Sequence, residues 1–492
     1  MSDQSETRRI NQNAVLNTIK TASSIVFPLI TFPYISRVLL TENVGKLNFC
    51  SSIISYFSLI ASLGISTYAV RECSKVRENR DVLSATVSQI ISINILSTLI
   101  AYTCLFVTLV FARRLDEYRL LIIIQSTSII FATLGADWLN TAMEDFKFIT
   151  IRTLSMQLLS LILMFAMVHK PDDYIKYAVI SVIASSGANI INIVYRRKYC
   201  RTKITAKVDL KHHLPPILLL FSLVVTQTIY TNSDMTIIGL FKGDYQTGLY
   251  STSVKIYTLV NMMIASIALV LIPQLSSAFT KRDYEKINGL LSYSLNFIAI
   301  LGIPTFCGIE IIAPQIIHLI AGEAYVEAAP SLRILGIALL CSLIGGWLGN
   351  MTMIPAGREK ICLVSSIIGA SINIILNLLL VPKYGINAAA ATTVASEVLG
   401  IVIMGRFIDK QIRLPNIKET ILGPCIGGVG IVVIGFITQS IMTNAYLVAI
   451  ITIIASIIWY VIILFYTKNK FFLEFIEPIF RRITKKKQFK DE

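Results

Sequence analysis

The sequence has little charge, and it lacks the motifs of the common soluble enzymes. Only 15% of its 492 residues are Asp, Glu, Lys or Arg, whereas 54% are hydrophobic and the mean hydropathy is +0.70. The surface of a soluble domain needs more charge than this, so a soluble globular protein is excluded. The sequence has no GxxxxGKS/T phosphate loop, so a direct supply of energy from ATP bound at such a loop is excluded. It also has no HExxH or GxSxG motif.

Cysteine and histidine are too scattered to indicate a site. The eight cysteines show no CxxC spacing and most fall in apolar runs, so we expect small packing residues. The four histidines have no metal-ligand spacing. We therefore expect no metal and no cofactor. The chain begins with a polar stretch, so we expect no cleaved signal peptide and take the first apolar segment as a span.

Long apolar runs are what the sequence has in abundance. Each of fourteen runs has the length of roughly 20 residues that a helix needs to cross a hydrocarbon core of about 30 Å. Because only helices satisfy their own backbone in lipid at this length, we predict an all-α integral membrane protein with about fourteen transmembrane helices. The predicted spans are 13–38, 46–67, 83–111, 119–141, 149–168, 174–195, 215–240, 249–274, 288–313, 329–352, 360–381, 386–407, 418–440 and 445–467.

The basic residues predict the orientation of these spans. If the N-terminus is cytoplasmic, 33 of the 44 Lys and Arg residues fall in or near cytoplasmic segments, Lys20 among them. Ten fall in outer loops or at their borders, where Arg37 and Lys46 are counted, and the remaining one, Lys255, lies within a span. Because cytoplasmic loops are enriched in Lys and Arg, we predict that both termini are cytoplasmic. The net charge of +15 then reflects topology and contact with anionic lipid, and we expect no nucleic-acid partner.

Two comparisons within the sequence suggest an internal duplication. Residues 37–49 resemble residues 238–251, and each stretch ends one span and starts the next at a glycine. Residues 144–149 likewise resemble residues 357–362. We predict two six-helix bundles related by a pseudo-two-fold axis along the membrane normal, with two peripheral C-terminal helices. The predicted domains are an N-terminal bundle (1–198), a basic cytoplasmic linker (199–214), a C-terminal bundle (215–410), spans thirteen and fourteen (411–470) and a basic cytoplasmic tail (471–492).

Five stretches occur in order along spans one to twelve. They are FPYISRVL at 32–39, LGISTYAVRE at 63–72, DWLNTAMEDF at 137–146, NSDMTIIG at 232–239 with GLYS at 248–251, and NIILNLLLVPKYGINAA at 373–389. Together they resemble the polysaccharide repeat-unit flippases, the Wzx-type branch of the multidrug/oligosaccharidyl-lipid/polysaccharide exporter superfamily. Asn387 stands where related proteins often have glycine, a departure that does not affect the expected fold.

The resemblance implies a fold, a substrate and partners. Two six-helix bundles would surround a central cavity that opens alternately to each side of a bacterial cell (inner) membrane. The substrate would be an oligosaccharide on undecaprenyl diphosphate, for O-antigen, capsule or exopolysaccharide. Membrane lipid, a polysaccharide polymerase and a chain-length regulator are the other partners that it suggests. It implies transport and no enzymatic activity.

Such a substrate needs a polar, water-lined cavity with cations for the diphosphate, because unpaired sugar hydroxyls and charged phosphates are costly in hydrocarbon. Charged residues inside spans are the first candidates. Lys255 follows Gly248 by seven residues, about 10 Å along the helix, and Ser251, Tyr257 and Asn261 make this helix partly polar. Lys255 either binds phosphate in a cavity or extends to the outer interface.

Other charged residues are candidates for the same site. Lys20, Arg37, Arg71 and Arg333 are further candidate cations for the diphosphate, with interfacial anchoring or ion pairing as the alternative for the arginines. Glu397 lies mid-span and is a candidate for a coupling proton or a structural ion pair. Asp137 is a candidate for coupling or ion pairing, and Asp234 for coupling, capping or ion pairing.

Two other functions compete with repeat-unit transport. Within the same fold the chain could be a cation-coupled multidrug exporter or a lipid II flippase, but an exporter of cationic drugs favours acidic cavity residues. A membrane-embedded glycan polymerase or glycosyltransferase should have a large outer loop, and the outer loops predicted here are short.

Overall fold

The computed structural model of the chain describes residues 2–413, 417–467, 469 and 471–473. This part of the chain contains fifteen α-helices and no β-strand, which confirms the predicted all-α membrane class. The helices are α1 (Ser2–Ser62), α2 (Ile65–Lys75), α3 (Arg80–Phe111), α4 (Arg119–Gly135), α5 (Trp138–Ala142), α6 (Phe146–Met167), α7 (Tyr174–Tyr195), α8 (Leu210–Ala265), α9 (Ile267–Lys281), α10 (Tyr284–Ile320), α11 (Ala329–Gly346), α12 (Glu359–Tyr384), α13 (Ile386–Gly405), α14 (Ile417–Ile441) and α15 (Ala445–Tyr466). Shorter segments are 3₁₀-helical at Arg113–Tyr118, Pro171–Asp173, Arg196–Lys198 and Glu323–Ala328, and π-helical at Trp347–Met353. The predicted basic tail lies outside the described residues, apart from 471–473.

Two of these helices are long enough to cross a membrane twice. Helix α1 has 61 residues and α8 has 56, about 90 Å and 85 Å of helix, against a hydrocarbon core of about 30 Å. Each contains one residue with non-helical backbone angles, Leu40 in α1 and Gly243 in α8. The described part of the chain has twelve helical stretches that are long and apolar enough to span a membrane. When α1 and α8 are each counted twice, these stretches account for the fourteen predicted spans.

The chain forms two compact units, Met1–Gly248 and Leu249–Glu492. In the first unit, α1 packs against α3, α4 and α6, and α7 packs against α4 and α6. In the second unit, α10 packs against α9, α11, α14 and α15, and α13 packs against α11 and α12. The division falls inside α8, so the first unit also contains the basic linker and span seven. The domain boundaries predicted from the sequence remain a prediction.

The order of elements supports the predicted duplication. Each copy begins with a long broken helix, followed by a short helix, a long helix and a 3₁₀ segment. In the first copy this series runs from α1 to Tyr118, and in the second copy it runs from α8 to Ala328. The breaks at Leu40 and Gly243 come five residues before Gly45 and Gly248, the glycines at which the second span of each copy begins. Leu40 has φ 63° and ψ 173°, a region that is otherwise almost limited to glycine.

The second pair of similar stretches also adopts one backbone geometry. Glu144 and Gly357 both have positive φ, at 56° and 72°. In both copies, the N–H of the positive-φ residue donates to the carbonyl three residues earlier. The N–H of the residue that follows it donates to the carbonyl five residues earlier. Both turns end one helix and start the next, at α6 and α12. Helices α14 and α15 have no counterpart in the first copy, as the duplication predicts.

Glycine allows the backbones of α1 and α8 to touch within the first unit. A Cβ atom on Gly45 would lie 1.8 Å from the carbonyl oxygen of Asp244, and one on Gly248 would lie 2.0 Å from that of Thr41. Any side chain at either position would collide with fixed backbone. The two glycines that the duplication relates therefore sit at one close helix crossing.

The loops of the first unit gather at two ends. One end, which we call the basic face, is formed by loops 76–79, 143–145 and 196–209. There Arg77 pairs with Glu144, and Asp145 accepts hydrogen bonds from Tyr195 and Tyr199. Burial alone raises the pKa of Asp145, but the two tyrosine hydroxyls and a backbone N–H outweigh it and hold that pKa below its usual range.

The other end of the first unit, the opposite face, holds the remaining loops. Lys46 pairs with Glu117 at 3.1 Å, and the Asn43 side chain donates to the carbonyl of Pro171 at 2.9 Å. The Tyr118 hydroxyl donates to the Asp244 carboxylate. Loops thus alternate between the two faces, as a series of membrane crossings requires.

Two prolines shape α10 in the second unit. Pro304 and Pro314 have no N–H, so the carbonyls of Ile300 and Glu310 lose their helical donors. The Tyr460 hydroxyl donates to the Ile300 carbonyl at 2.8 Å, and Arg333 Nε donates to the Glu310 carbonyl at 2.8 Å. Side chains of neighbouring helices therefore replace both lost backbone bonds.

Candidate functional site

A cavity lies in the first unit, between α1, α6 and α7. Its volume is about 250 Å³, room for about eight waters at roughly 30 Å³ each. It is lined by Ser24, Phe27, Pro28, Thr31, Gln157, Ser160, Met164, Tyr177, Ile180, Ser181, Ala184 and Ser185. Among the described residues, no charged side chain lines the cavity, whose wall is mainly apolar with hydroxyl groups set into it.

The serine and threonine hydroxyls of this cavity, though not that of Tyr177, share one hydrogen-bonding pattern. Each of the five Ser and Thr hydroxyls donates to a carbonyl of its own helix, at 2.6 Å to 3.3 Å; they belong to Ser24, Thr31, Ser160, Ser181 and Ser185. A carbonyl oxygen only accepts, so each hydroxyl proton is already committed to the helix. The oxygen lone pairs that remain are acceptors. The cavity is therefore suited to a ligand that is rich in O–H donors.

Lys20 continues the face of α1 that lines the cavity. Positions 20, 24, 27 and 31 follow the spacing of one helix face, and Lys20 lies one turn before Ser24. Its side chain is half-buried, and its own carbonyl accepts a hydrogen bond from Ser23. A cation thus lies one helical turn before the first residue of α1 that lines the cavity. The sequence predicted the cation but not the cavity beside it.

Lys255 lies in the part of α8 that belongs to the second unit. Ser253 donates to the carbonyl of Ala328 at 3.0 Å, and Asn261 donates to Ser342 of α11 at 2.9 Å. Lys255 is two residues beyond Ser253, about 200° around the helix from this contact. Its side chain is half-buried, and Thr252 on its own face is fully buried. The polar character that the sequence predicted for this helix is therefore divided between two faces.

Glu397 faces α11 within the second unit. Its Oε2 atom lies 3.5 Å from the position that a Cβ atom on Gly345 would take. The carboxylate is half-buried, next to the buried hydroxyl of Ser396. Glycine at 345 leaves the room that this carboxylate occupies. Glu397 remains a candidate for proton coupling.

Arg37 and Arg71 are exposed on the surface of the first unit. Arg37 Nη1 donates to the carbonyl of Pro33 at 2.7 Å. Arg71 pairs with Glu72 at 3.1 Å and lies over the ring of Tyr68. Arg71 is at the basic face, as the sequence predicted for the inner end of span two.

Asp137 and Arg333 make structural contacts. Asp137 pairs with Arg152, a guanidinium that is almost fully buried in the first unit and also packs over the Phe148 ring. Arg333 caps the Glu310 carbonyl that Pro314 leaves without a donor. An ion pair was one of the two roles predicted for Asp137.

Asp234 is buried in α8 of the first unit, with only 9% of its surface exposed. In the same turn, Thr236 donates to Ser52 at 2.9 Å, and its hydroxyl is 3.0 Å from that of Tyr56. A polar network therefore joins this part of α8 to α1. The residues described contain no cluster of three or more His, Cys, Asp and Glu side chains that could hold a metal.

The sequence reasoning missed the hydroxyls that line the cavity. Ser181 and Ser185 recur at a spacing of four in α7, and Gln157 and Ser160 at three in α6. This periodicity places each pair on one helix face. Ser and Thr are common in membrane helices, however, and the sequence does not say which helix faces meet.

The sequence is similar to proteins of polysaccharide export. Residues 10–279 match the family described as "Polysaccharide biosynthesis protein". A protein of Shigella dysenteriae named "Putative O-antigen transporter" is 26% identical over 80% of this chain and 99% of its own length. A protein of Escherichia coli K12 with the same name is 22% identical over 81% of this chain and 96% of its own length.

The fold resembles that of solved flippase structures. A structure described as the lipid II flippase MurJ in an inward closed conformation matches 95% of this chain and 100% of its own, with a TM-score of 0.73 and 18% identity. At this identity the likeness establishes the fold alone.

Proposed function

This chain belongs to the polysaccharide biosynthesis protein family, and we propose that it is a flippase for undecaprenyl-diphosphate-linked oligosaccharide repeat units. It moves O-antigen, capsule or exopolysaccharide units from the cytoplasmic to the outer leaflet by alternating access. It acts as a transporter and carries out no covalent step. The names of its relatives and its flippase-type fold support this proposal.

The observation that carries the proposal is the state of the cavity hydroxyls. Five hydroxyl groups present acceptor lone pairs to one neutral cavity. A sugar ring offers several O–H donors, each of which needs a partner when it leaves water. We propose that sugar hydroxyls of the repeat unit bind here. A drug cation would find no carboxylate in this cavity.

The cations complete the proposed substrate site. Lys20 lies one helical turn from the cavity, where it is suited to a phosphate group of the substrate. We propose the same role for Lys255 in the second unit, with Glu397 as the group that exchanges a coupling proton. Arg37 and Arg71 are proposed to guide the headgroup at the two surfaces.

The proposed location follows from the charge distribution. The basic face of the first unit lies at the cytoplasm of a bacterial inner membrane, and both termini are cytoplasmic. A polysaccharide polymerase and a chain-length regulator are the proposed protein partners, which co-purification from membranes would test.

A pair of identical substitutions tests the sugar site. Thr31 and Thr103 each donate to the carbonyl four residues earlier in their own helices, but only Thr31 lines the cavity. Thr31→Val should slow the flipping of a lipid-linked oligosaccharide in proteoliposomes about fivefold, because one hydrogen bond of about 1 kcal/mol is lost. Thr103→Val should leave the rate unchanged. Equal rates for wild type and Thr31→Val would contradict the proposed sugar site.

A further inference from the structure

The extended segment 201–205, which we call the strap, lies along α3 at the basic face. The backbone N–H groups of Arg201, Lys203 and Thr205 donate to side-chain hydroxyls of α3, at 3.1 Å, 3.1 Å and 2.9 Å. The acceptors are the serines at 84, 88 and 92, spaced by four residues. Every second backbone N–H of the strap therefore donates a hydrogen bond to every fourth residue of α3.

The spacing of the two elements explains why they fit. Four residues of α-helix rise about 6.0 Å, and two residues of extended chain rise about 6.6 Å. Each serine hydroxyl also donates to a carbonyl of α3, at 2.6 Å or 2.7 Å. The serines therefore accept from the strap while their protons stay bonded to the helix. This match fixes the register of the strap.

Docking of the strap creates a cationic pocket. Arg201 and Lys203 are brought next to Arg80 at the start of α3, around a pocket of about 500 Å³. Asp81, Ser84, Ala85 and Ser88 complete the lining. Within the described part of the chain, no carboxylate lies within ion-pair distance of these three cations. The pocket therefore holds three cations and one carboxylate.

Exposed apolar side chains adjoin the pocket residues in the sequence. Ile204, between Lys203 and Thr205 in the strap, is 77% exposed, and Val82, next to Asp81, is 45% exposed. An exposed isoleucine beside exposed cations suits the boundary between headgroups and acyl chains. Both features are those of a segment that lies at the level of the lipid headgroups.

We propose that this pocket is a loading site that binds the diphosphate headgroup of the polyprenyl-linked substrate at the basic face, before translocation. Three cations and one carboxylate leave two positive charges, which match the two negative charges of a diphosphate diester. A phosphodiester lipid would leave one charge unmatched. This inference rests on the proposed function, and it adds a second substrate contact outside the sugar cavity.

Binding to the full-length protein in phosphatidylcholine nanodiscs tests the proposal. The probes are undecaprenyl diphosphate that carries one sugar, phosphatidylglycerol and inorganic diphosphate. We expect the double variant Arg201→Gln/Lys203→Gln to weaken binding of the first probe about tenfold or more, because two charge-assisted contacts are lost. Lys207→Gln removes a charge from the same linker outside the pocket, and it should change binding less than about twofold.

A second variant tests the strap itself. Ser84→Ala/Ser88→Ala/Ser92→Ala removes the acceptors that hold the strap and keeps all three cations. It should weaken binding of the sugar-bearing probe and increase hydrogen exchange at 201–205. Thr86→Val, on the same helix but bonded only to Val82, is its control.

The outcomes distinguish a failure of the proposed loading pocket from a failure of the proposed flippase function. Unchanged binding in the double variant would overturn the pocket. Binding of inorganic diphosphate as tight as that of the lipid probe would mean a site for free diphosphate and would overturn the lipid-linked substrate assignment. Phosphatidylglycerol binding as tight as the diphosphate probe would mean a general site for acidic phospholipid and would overturn the substrate assignment. Flipping by the wild type is measured on the same preparation. If the wild type flips the lipid-linked oligosaccharide, the proposed function stands, whether or not the pocket binds the diphosphate. If the wild type does not flip this substrate, the proposed function fails.

Discussion

At the residue scale, charge inside the membrane has two distinct uses in this protein. Arg152 and Asp137 form a pair in which the guanidinium is almost fully buried. Arg333 donates to a backbone carbonyl of a kinked helix. Lys20 and Lys255, by contrast, lie on helix faces that carry other polar side chains. Structural charges and candidate substrate cations therefore occur on neighbouring spans.

Lys255 is predicted to be essential as a cation. Lys255→Ala should leave membrane insertion intact and abolish surface polysaccharide, because no positive charge remains for the diphosphate at this point of α8. Lys255→Arg should keep a large part of the activity. Polymer at the cell surface is measured in a strain that lacks its own copy. Normal polymer from correctly inserted Lys255→Ala protein would rule out the phosphate role.

Asp137 is predicted to stabilise the fold by pairing with Arg152. Asp137→Asn leaves a buried guanidinium without its counterion and should cost about 2 kcal/mol, between the values for exposed and buried pairs. Asp137→Asn/Arg152→Met should recover most of this loss, because the buried charge is gone. Thermal unfolding in detergent measures both. If the double variant is stable and still fails to transport, Asp137 has a coupling role beyond the ion pair.

At the element scale, α10 depends on its neighbours for hydrogen bonds that it cannot make itself. Pro304 and Pro314 each remove one backbone donor, and Gln439 of α14 donates to the Ile311 carbonyl, next to the kink at Ile312, at 2.7 Å. The two helices outside the duplication, α14 and α15, thus supply donors to a helix inside it. Their packing against α10 is specific.

The bond from Tyr460 to the Ile300 carbonyl can be tested by a double-mutant cycle. Tyr460→Phe should lower the free energy of unfolding by about 1 kcal/mol, because the carbonyl freed by Pro304 loses its donor. In a Pro304→Ala background the same change should cost much less, since the new N–H of residue 304 can donate to Ile300. An equal cost in both backgrounds would show that the hydroxyl acts in another way.

At the scale of the whole molecule, the alternation of loops between two faces sets the topology. Contacts join loops 76–79 and 143–145 at the basic face, and loops 40–46 and 112–118 at the opposite face. By the positive-inside rule, we propose that the basic face lies at the cytoplasm. Orientation is a property of the whole chain, because reversing one loop would reverse all of them.

Cysteine labelling checks this orientation. In a variant without the eight native cysteines, Asp172→Cys should react with a membrane-impermeant maleimide in intact cells. Ala206→Cys should react only after permeabilisation. Both positions are exposed, so access depends on the side of the membrane and not on burial. The reverse pattern would place the basic face outside.

Much of the fold could be predicted from the sequence, because its causes are local. A span is recognised from the length of an apolar run, and an orientation from the charges beside it. The break at Gly243 and the turn at Gly357 are marked by glycine itself, although the matching breaks at Leu40 and Glu144 carry no such mark. Only the comparison of the two halves pointed to them.

The candidate site was predicted only in part. Lys20 and Lys255 stand out because charge within a span is rare, whereas Thr31 and Ser181 look like any hydroxyl residues in a membrane helix. Whether a hydroxyl faces lipid or a cavity depends on the rotation of its helix and on what packs against it. Those are properties of the packed bundle that a span's own residues do not encode.

The sequence by itself determined the membrane class, the spans, the duplication and the distribution of charge, because each depends on residues close together in the chain. The tertiary structure alone decided that Asp137 pairs with Arg152, that Arg333 caps a proline-freed carbonyl, and that five Ser and Thr hydroxyls line one cavity. These pairings join residues on different helices. They depend on the angle and register of helix packing, which many weak contacts fix together.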